Sequence, residues 1–222
     1  MPRRRREGTA GMTFHVLNRA AKRTLLFHNA RDYFAFEDLL EEAVQRFHVA
    51  LFAYCVMPNH WHLVVAPQID GELSRFMHWL TTTHARRWQN VHGVVGLGAV
   101  YQGRFKAIPI GSDRHFLWVC RYVERNPLRA LLAARAEEWR WSSLHNDKSS
   151  WLANWPVSRP ADWVAHVNRA QTDSELERFR DAVRNGHPFG DADWTAEIRR
   201  TGHVSQYGAP GRPRGSRRPS VL

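Results

Sequence analysis

The segment Met57-Pro58-Asn59-His60-Trp61-His62-Leu63 places two histidines one residue apart, directly after a turn-forming Pro-Asn pair. On a strand, side chains alternate between faces, so His60 and His62 point one way and Trp61 the other. Two imidazoles about 6–7 Å apart along a strand can converge on one ion. Nitrogen ligands alone suit zinc, manganese or nickel, and an added oxygen ligand with waters favours magnesium or manganese. Two surface histidines on a half-exposed strand give the same spacing, so a metal needs a further ligand from elsewhere. A second segment offers one: Arg121-Tyr122-Val123-Glu124-Arg125-Asn126-Pro127. On a helix Tyr122 and Asn126 share a face. Asn126 carries a carbonyl oxygen suited to a hard cation, and Tyr122 a phenol able to attack phosphorus and form a covalent link. The same residues also fit plainer roles, Tyr122 as an amphipathic core residue and Asn126 as the N-cap of a helix opened by Pro127. Glu124 and Arg125 point to other faces and read as solvated, Arg125 as phosphate-facing.

These residues must be carried by regular elements. Met12–Asn18 reads as a short strand, and Asp32–Arg46, with Phe36, Leu39, Leu40 and Ala43 at helical spacing, as a helix. Val49–Met57 and His60–Ala66 read as an antiparallel hairpin around Pro58-Asn59. Glu72–Gln89 is a second helix, Val91–Val100 a glycine-rich loop, and Tyr101–Ile110 a further strand. Ser112–Asn126 is the helix carrying Tyr122, followed by a helical stretch over Pro127–Ala136. The order predicts an α+β fold, an antiparallel sheet with packed helices. His15, on the first strand, could approach the site but reads as a satisfied surface histidine, and His78, His84 and His115 lie on helices without ligand spacing. Trp61, Trp79 and Trp118 read as core.

Over 222 residues the formal charge is +11 and the pI about 10.7, which implies attraction to polyanions. No run of eighteen apolar residues exists, so a membrane partner is not expected. Two distant cysteines, Cys55 and Cys120, make neither a disulfide framework nor a zinc knuckle, which points to a reducing cytoplasm. Arg3, Arg4, Arg5 and Arg6 form a basic N-terminal arm over residues 1–10, and the arginines of a Gly/Pro-rich tail over 205–222 form a second, disordered by composition. Both suit phosphate contacts, which give affinity without sequence information. Within the folded part, Arg104 and Lys106 share a face if Tyr101–Ile110 is a strand, and add a candidate nucleic-acid surface. A Trp- and Pro-containing stretch followed by a charged helix at Asp173–Asn185 marks a smaller helical appendage over 139–204.

Pro58-Asn59-His60-Trp61-His62, Tyr122-x-x-x-Asn126-Pro127 and His187-Pro188-Phe189-Gly190 together resemble the single-tyrosine HUH transposases, in particular the REP-associated tyrosine transposase branch of the IS200-like superfamily. The likeness covers about residues 11–135, and the tail more loosely. It implies a catalytic domain over 11–138 with a ferredoxin-like (RRM-like) sheet, the histidine pair on a central strand and the tyrosine helix beside it. It further implies metal ligation of Mg2+ or Mn2+ by His60, His62 and Asn126, with Tyr122 as nucleophile. The reaction would cleave and rejoin single-stranded DNA at palindromic hairpins through a 5′-phosphotyrosine, leaving a free 3′-OH, with no high-energy cofactor. Arg3–Arg6 would help read the foot of the hairpin. Such an enzyme would act in the bacterial cytoplasm near the nucleoid, as a monomer or homodimer. A non-catalytic nucleic-acid-binding regulator remains the alternative. A relaxase or rolling-circle initiator usually has more histidines or a second tyrosine, and a zinc hydrolase would need a carboxylate or third histidine ligand.

Overall fold

Tyr33, Phe36, Leu39, Leu40 and Ala43 recur at helical spacing, and the chain coils there into α1 (Ala30–Arg46), started by Asn29, whose side chain accepts from the Arg31 N–H at 2.9 Å. In this computed structural model, which describes residues 9–146 and 149–201, α1 packs beside α2 (Glu72–Val91). Both cover one face of an antiparallel sheet made of β1 (Thr13–Arg19), β2 (Val49–Met57), β3 (His60–Pro67) and β4 (Lys106–Ile110), in the order β2-β3-β1-β4. The α+β architecture is the expected one.

Alternation along β3 divides the core in two. Trp61, Leu63 and Val65 join Phe14, Val16, Leu51 and Tyr54 under α1 and α2. The fully buried Trp61 donates its indole N–H to Tyr101 Oη at 3.1 Å, and that hydroxyl meets His84 Nδ1 at 2.7 Å. The polar atoms of this core are thereby paired, as burial requires. The opposite face, with Val64, Ile108 and Ile110, packs against α3 (Asp113–Glu124). In β2 the register passes from Leu51↔Val65 to Ala53↔Val64, so Phe52 and Ala53 together oppose one residue. This bulge keeps both on the α3 side.

Two elements are shorter than their sequence suggests. Between the Ala20–Tyr101 bridge and the Leu17–Lys106 pair, two residues of one chain, Asn18 and Arg19, face four of the other, Gln102 to Phe105. The surplus bends outward at Gly103, so β4 starts at Lys106 and Arg104 shares no strand face with it. The helix expected over Pro127–Ala136 is only the four-residue α4 (Asn126–Arg129), closed by Leu131 at φ 57°. An isolated side chain in that left-handed region costs about 1–2 kcal/mol, which Leu131 spends in the open at 91% exposure.

The chain after α4 covers both sheet edges. Along β2, Trp141 O accepts from Val56 N, Ser143 N donates to Tyr54 O, and Ala153 N donates to Leu51 O. The indoles of Trp139 and Trp155 donate to Val56 O and Phe52 O. At the β4 edge, Phe189 forms a parallel bridge with Ile110. These contacts cover part of each edge ladder. Helices α5 (Trp163–Asn168) and α6 (Asp173–Asn185) lie over the α3 side, followed by α7 (Ala192–Thr201). Among the described residues no helix is long and apolar enough to cross a membrane.

Candidate active site between the sheet and the tyrosine helix

The alternation that buries Trp61 turns His60 and His62 toward α3, where their rings meet edge to face at 4.9 Å between centroids. Across the interface α3 presents Tyr122, its ring 6.0 Å from that of His62. The strand and the helix therefore bring together the residues that the sequence pairs. His15 joins them. It lies on β1 diagonal to His62, since Leu17 is the residue paired with His62. Expected at the surface, His15 is instead completely buried, its ring stacked 5.0 Å from His62 and 6.1 Å from Tyr122. The pattern of β1 carries the signal: Phe14 and Val16 fill the opposite core, so His15 must face whatever α3 covers.

His60 and His62 each have Nδ1 engaged. His60 Nδ1 meets Asn59 Oδ1 at 2.6 Å. An amide oxygen only accepts, so the proton lies on Nδ1 of His60 and leaves Nε2 with its lone pair. His62 Nδ1 meets His15 Nε2 at 2.9 Å. Among the described residues no hydrogen bond engages Nε2 of either His60 or His62. Burial, then the charge of His60, lowers the His15 pKa to about 3. Burial, then the Arg19 and Arg129 guanidiniums, lowers that of His60 to about 3. Burial and the neighbouring His60, His15, Arg129 and Arg19 hold His62 well below its usual value. All three rings are neutral at physiological pH, the state in which an imidazole can ligate a metal.

Tyr122 is 7% exposed. Trp118 stacks on it at 5.7 Å, Phe179 of α6 meets it at 4.6 Å, and the Arg129 guanidinium lies 4.4 Å from its centroid. Arg129 Nη2 donates to Tyr122 Oη at 3.3 Å and to Asn126 Oδ1 at 2.9 Å. Asn126 is buried, makes no capping bond to the backbone, and leaves Nδ2 without a partner. The N-cap reading of Asn126 therefore fails, because the residue's oxygen is turned to Arg129. Arg129 was not singled out by sequence reasoning, although it stands three residues beyond Asn126 and seven beyond Tyr122, on the same side of consecutive helical turns.

A divalent ion would need a matching set of donors. Among the described residues no group of three or more His, Cys, Asp or Glu is arranged to hold one. The expected donors are instead two imidazoles whose Nε2 atoms carry no hydrogen bond, and the Asn126 amide, whose Oδ1 keeps one lone pair beyond its bond to Arg129. This fits a borderline cation that keeps positions for water or phosphate.

Other expected residues divide. Arg3, Arg4, Arg5 and Arg6 and the tail over 205–222 lie outside the described residues. Arg104 is exposed and lines, with Arg86, His78 and Gln89, an open groove of about 590 Å³ beside α2. Lys106 is half-buried, and its ammonium caps the end of α6 through Val183 O at 2.9 Å and Arg184 O at 3.3 Å. Arg125, read as solvated or phosphate-facing, instead donates to Val167 O and Asn168 O at the end of α5, and Arg121 to Arg169 O and Ala170 O just beyond. Glu124, also read as solvated, is 1% exposed and accepts from Ser143 Oγ at 2.7 Å and Trp163 Nε1 at 2.6 Å. A helical face that looks polar in the sequence thus docks the C-terminal segment.

Comparison with known proteins bears on the fold and the family. A solved REP-associated tyrosine transposase bound to a REP hairpin is similar in fold, at a TM-score of 0.55 and 17% identity, over 78% of this chain and 92% of that one. A candidate transposase of Deinococcus radiodurans R1 shows a weaker likeness, at a TM-score of 0.40 and 18% identity, over 56% of this chain and 96% of that one. No curated protein sequence matches the chain. The family model described as "Transposase IS200 like" matches residues 9–126, more than half of the chain, and the protein therefore belongs to the IS200-like transposase family.

Proposed function

We propose that this transposase cuts and rejoins single-stranded DNA beside a hairpin, with Tyr122 as nucleophile. The observation that carries the reading is the approach of the Tyr122 ring to the His60–His62 pair across one interface, with Arg129 on the phenol oxygen. Tyr122 Oη would bond to the scissile phosphorus as the P–O3′ bond breaks. The phenol proton would leave through solvent, and the departing oxygen would end as a free 3′-OH. The reverse step would form P–O3′, break P–Oη and return the proton to the phenol. The bond count is unchanged in both directions, so no external energy source is needed. Arg129 would counter charge on Oη as nucleophile and as leaving group.

His60 and His62, with Asn126 as third donor, would hold Mg2+ or Mn2+. Such an ion supplies Lewis-acid polarisation of the scissile phosphate and helps align it. The imidazoles would fix the ion's place, and Arg19, paired across from His60, would add positive field toward the polyanion. Arg104 and Arg86 would contact phosphates flanking the site, and Arg3–Arg6 and the tail would add affinity. The REP hairpin held by the similar structure supports a hairpin-bearing substrate here.

The test is covalent capture. Single-stranded oligonucleotides spanning palindromes near the protein's own gene are incubated with the protein and Mg2+ or Mn2+, then run on a denaturing gel. A protein–DNA adduct is expected, and Tyr122→Phe should abolish it while costing about 1.5 kcal/mol of stability, since Oη makes one long hydrogen bond, to the charged Arg129. An adduct that persists in Tyr122→Phe would show the wrong nucleophile. No adduct on any palindrome would leave the non-catalytic regulator as the better description.

A further inference from the structure

We infer that His15 is a positioning residue, which sets the tautomer and orientation of His62 so that Nε2 is presented as a ligand. The inference rests on the metal reading of His60 and His62 above. The 2.9 Å contact between His15 Nε2 and His62 Nδ1 holds one proton between two neutral rings. If His15 donated that proton, His62 would carry its own on Nε2 and could not ligate. If His62 donates it, Nε2 of His62 is free and the His15 proton sits on Nδ1. That second state matches His60, whose Nδ1–H is fixed by Asn59, so both strand histidines present the same ring atom.

The burial of His15 bears on its role and not on the tautomer, since a proton on Nδ1 makes the orphan atom a donor, the costlier of the two states. Its Nδ1 is buried without a partner, an uncompensated polar group in the core. A leucine or phenylalanine would fill that space, between Phe179 at 5.1 Å and Tyr122 at 6.1 Å, without the penalty. What an apolar residue cannot supply is an acceptor for His62 Nδ1–H. Partners of this kind orient ligating histidines, and their loss typically weakens metal affinity about 10- to 100-fold.

Two measurements on the full chain test it. The first is long-range 1H–15N NMR of the histidine rings in the metal-free protein, which should show His62 unprotonated at Nε2; a proton found there overturns the inference. The second is Mn2+ titration followed by loss of the free-ion EPR signal, on the unaltered protein, His62→Ala, His15→Phe and His15→Gln. His62→Ala should abolish binding. His15→Phe should weaken it about 10- to 100-fold, and His15→Gln, whose amide oxygen can accept, should recover part of the loss. If His62→Ala abolishes binding and His15→Phe leaves it unchanged, the role of His15 is refuted and the metal reading stands. If the unaltered protein binds no Mn2+, or His62→Ala binds as well as it does, the metal reading falls and the role of His15 falls with it. Should His15→Phe fail to fold by circular dichroism, His15→Gln and the NMR assignment decide between the same outcomes.

Discussion

Replacing Arg129 with alanine removes three contacts at once. The guanidinium lies 4.4 Å above the Tyr122 ring, 3.3 Å from its hydroxyl and 2.9 Å from Asn126 Oδ1. A hydrogen bond to a charged group contributes about 1.5–3 kcal/mol, and the 3.3 Å bond to Oη belongs at the lower end. A half-buried cation–π contact adds about 1 kcal/mol. If the Oη bond strengthens as charge develops there, about 1.5–3 kcal/mol of barrier is at stake, or roughly 10- to 150-fold in rate. The assay is single-turnover formation of the covalent DNA adduct at saturating Mn2+, alongside a thermal melt. Arg129→Ala is expected to slow adduct formation by that factor. Arg129→Lys should recover part of it, because an ammonium keeps the charge but cannot span both oxygens as the planar guanidinium does. Adduct formation in Arg129→Ala within twofold of the unaltered protein, with an unchanged melt, would refute the role.

Glu124→Ala should leave Trp163 Nε1 buried without its acceptor, at about 1–3 kcal/mol, while Ser143 Oγ keeps Tyr54 O at 3.2 Å. A shift of the urea midpoint worth less than about 1 kcal/mol would show that Glu124 does not hold the C-terminal segment to α3. Stability should also fall with acid. Burial holds His15 near 3 and, for the most part, His84 near 4, against 6.5 in the unfolded chain. Between those values the unfolded chain binds protons that the folded one refuses, so stability rises with pH across the window and is lost as pH drops below 6.5. From pH 6.5 to 5 the two rings together account for about 3 kcal/mol, since each unfolded imidazole is half-protonated at 6.5 and the full slope of about 1.4 kcal/mol per unit is reached only below that. A melting temperature that stays flat between pH 7 and 5 would contradict this.

The sheet, the hairpin and the main helices were legible because α1 and α2 keep a 3.6-residue pattern over several turns, β1 alternates, and β2 is a nine-residue apolar run ended by Pro58. Asp173–Asn185 coincides with α6, since Thr172 caps its start and Gly186 its end. The juxtaposition of Tyr122 with the histidine pair was also expected, but from likeness to a family, because neither motif alone excluded a structural role. What escaped was long-range. His15 meets His62 across 47 residues, Phe179 reaches Tyr122 from α6, and Glu124 and Arg125 face partners beyond residue 142. Charged side chains on a helix read as solvated until the segment covering them is known. Lys106 shows the same: a cation placed by pattern on a nucleic-acid face is spent on the carbonyls of a helix end.

The hairpin at Pro58-Asn59 has a genetic consequence. Met57 pairs with His60 and Cys55 with His62, while Val56 pairs with Trp61 on the other face. One extra codon within β3, just after Leu63, would slide the residues before it by a single step. Both imidazoles would then enter the dry layer that holds Trp61, and the indole would swing toward Tyr122. Two codons would restore the faces. Length variation in this strand should therefore be tolerated in even steps alone, and frame-preserving insertion libraries should recover activity at every second length.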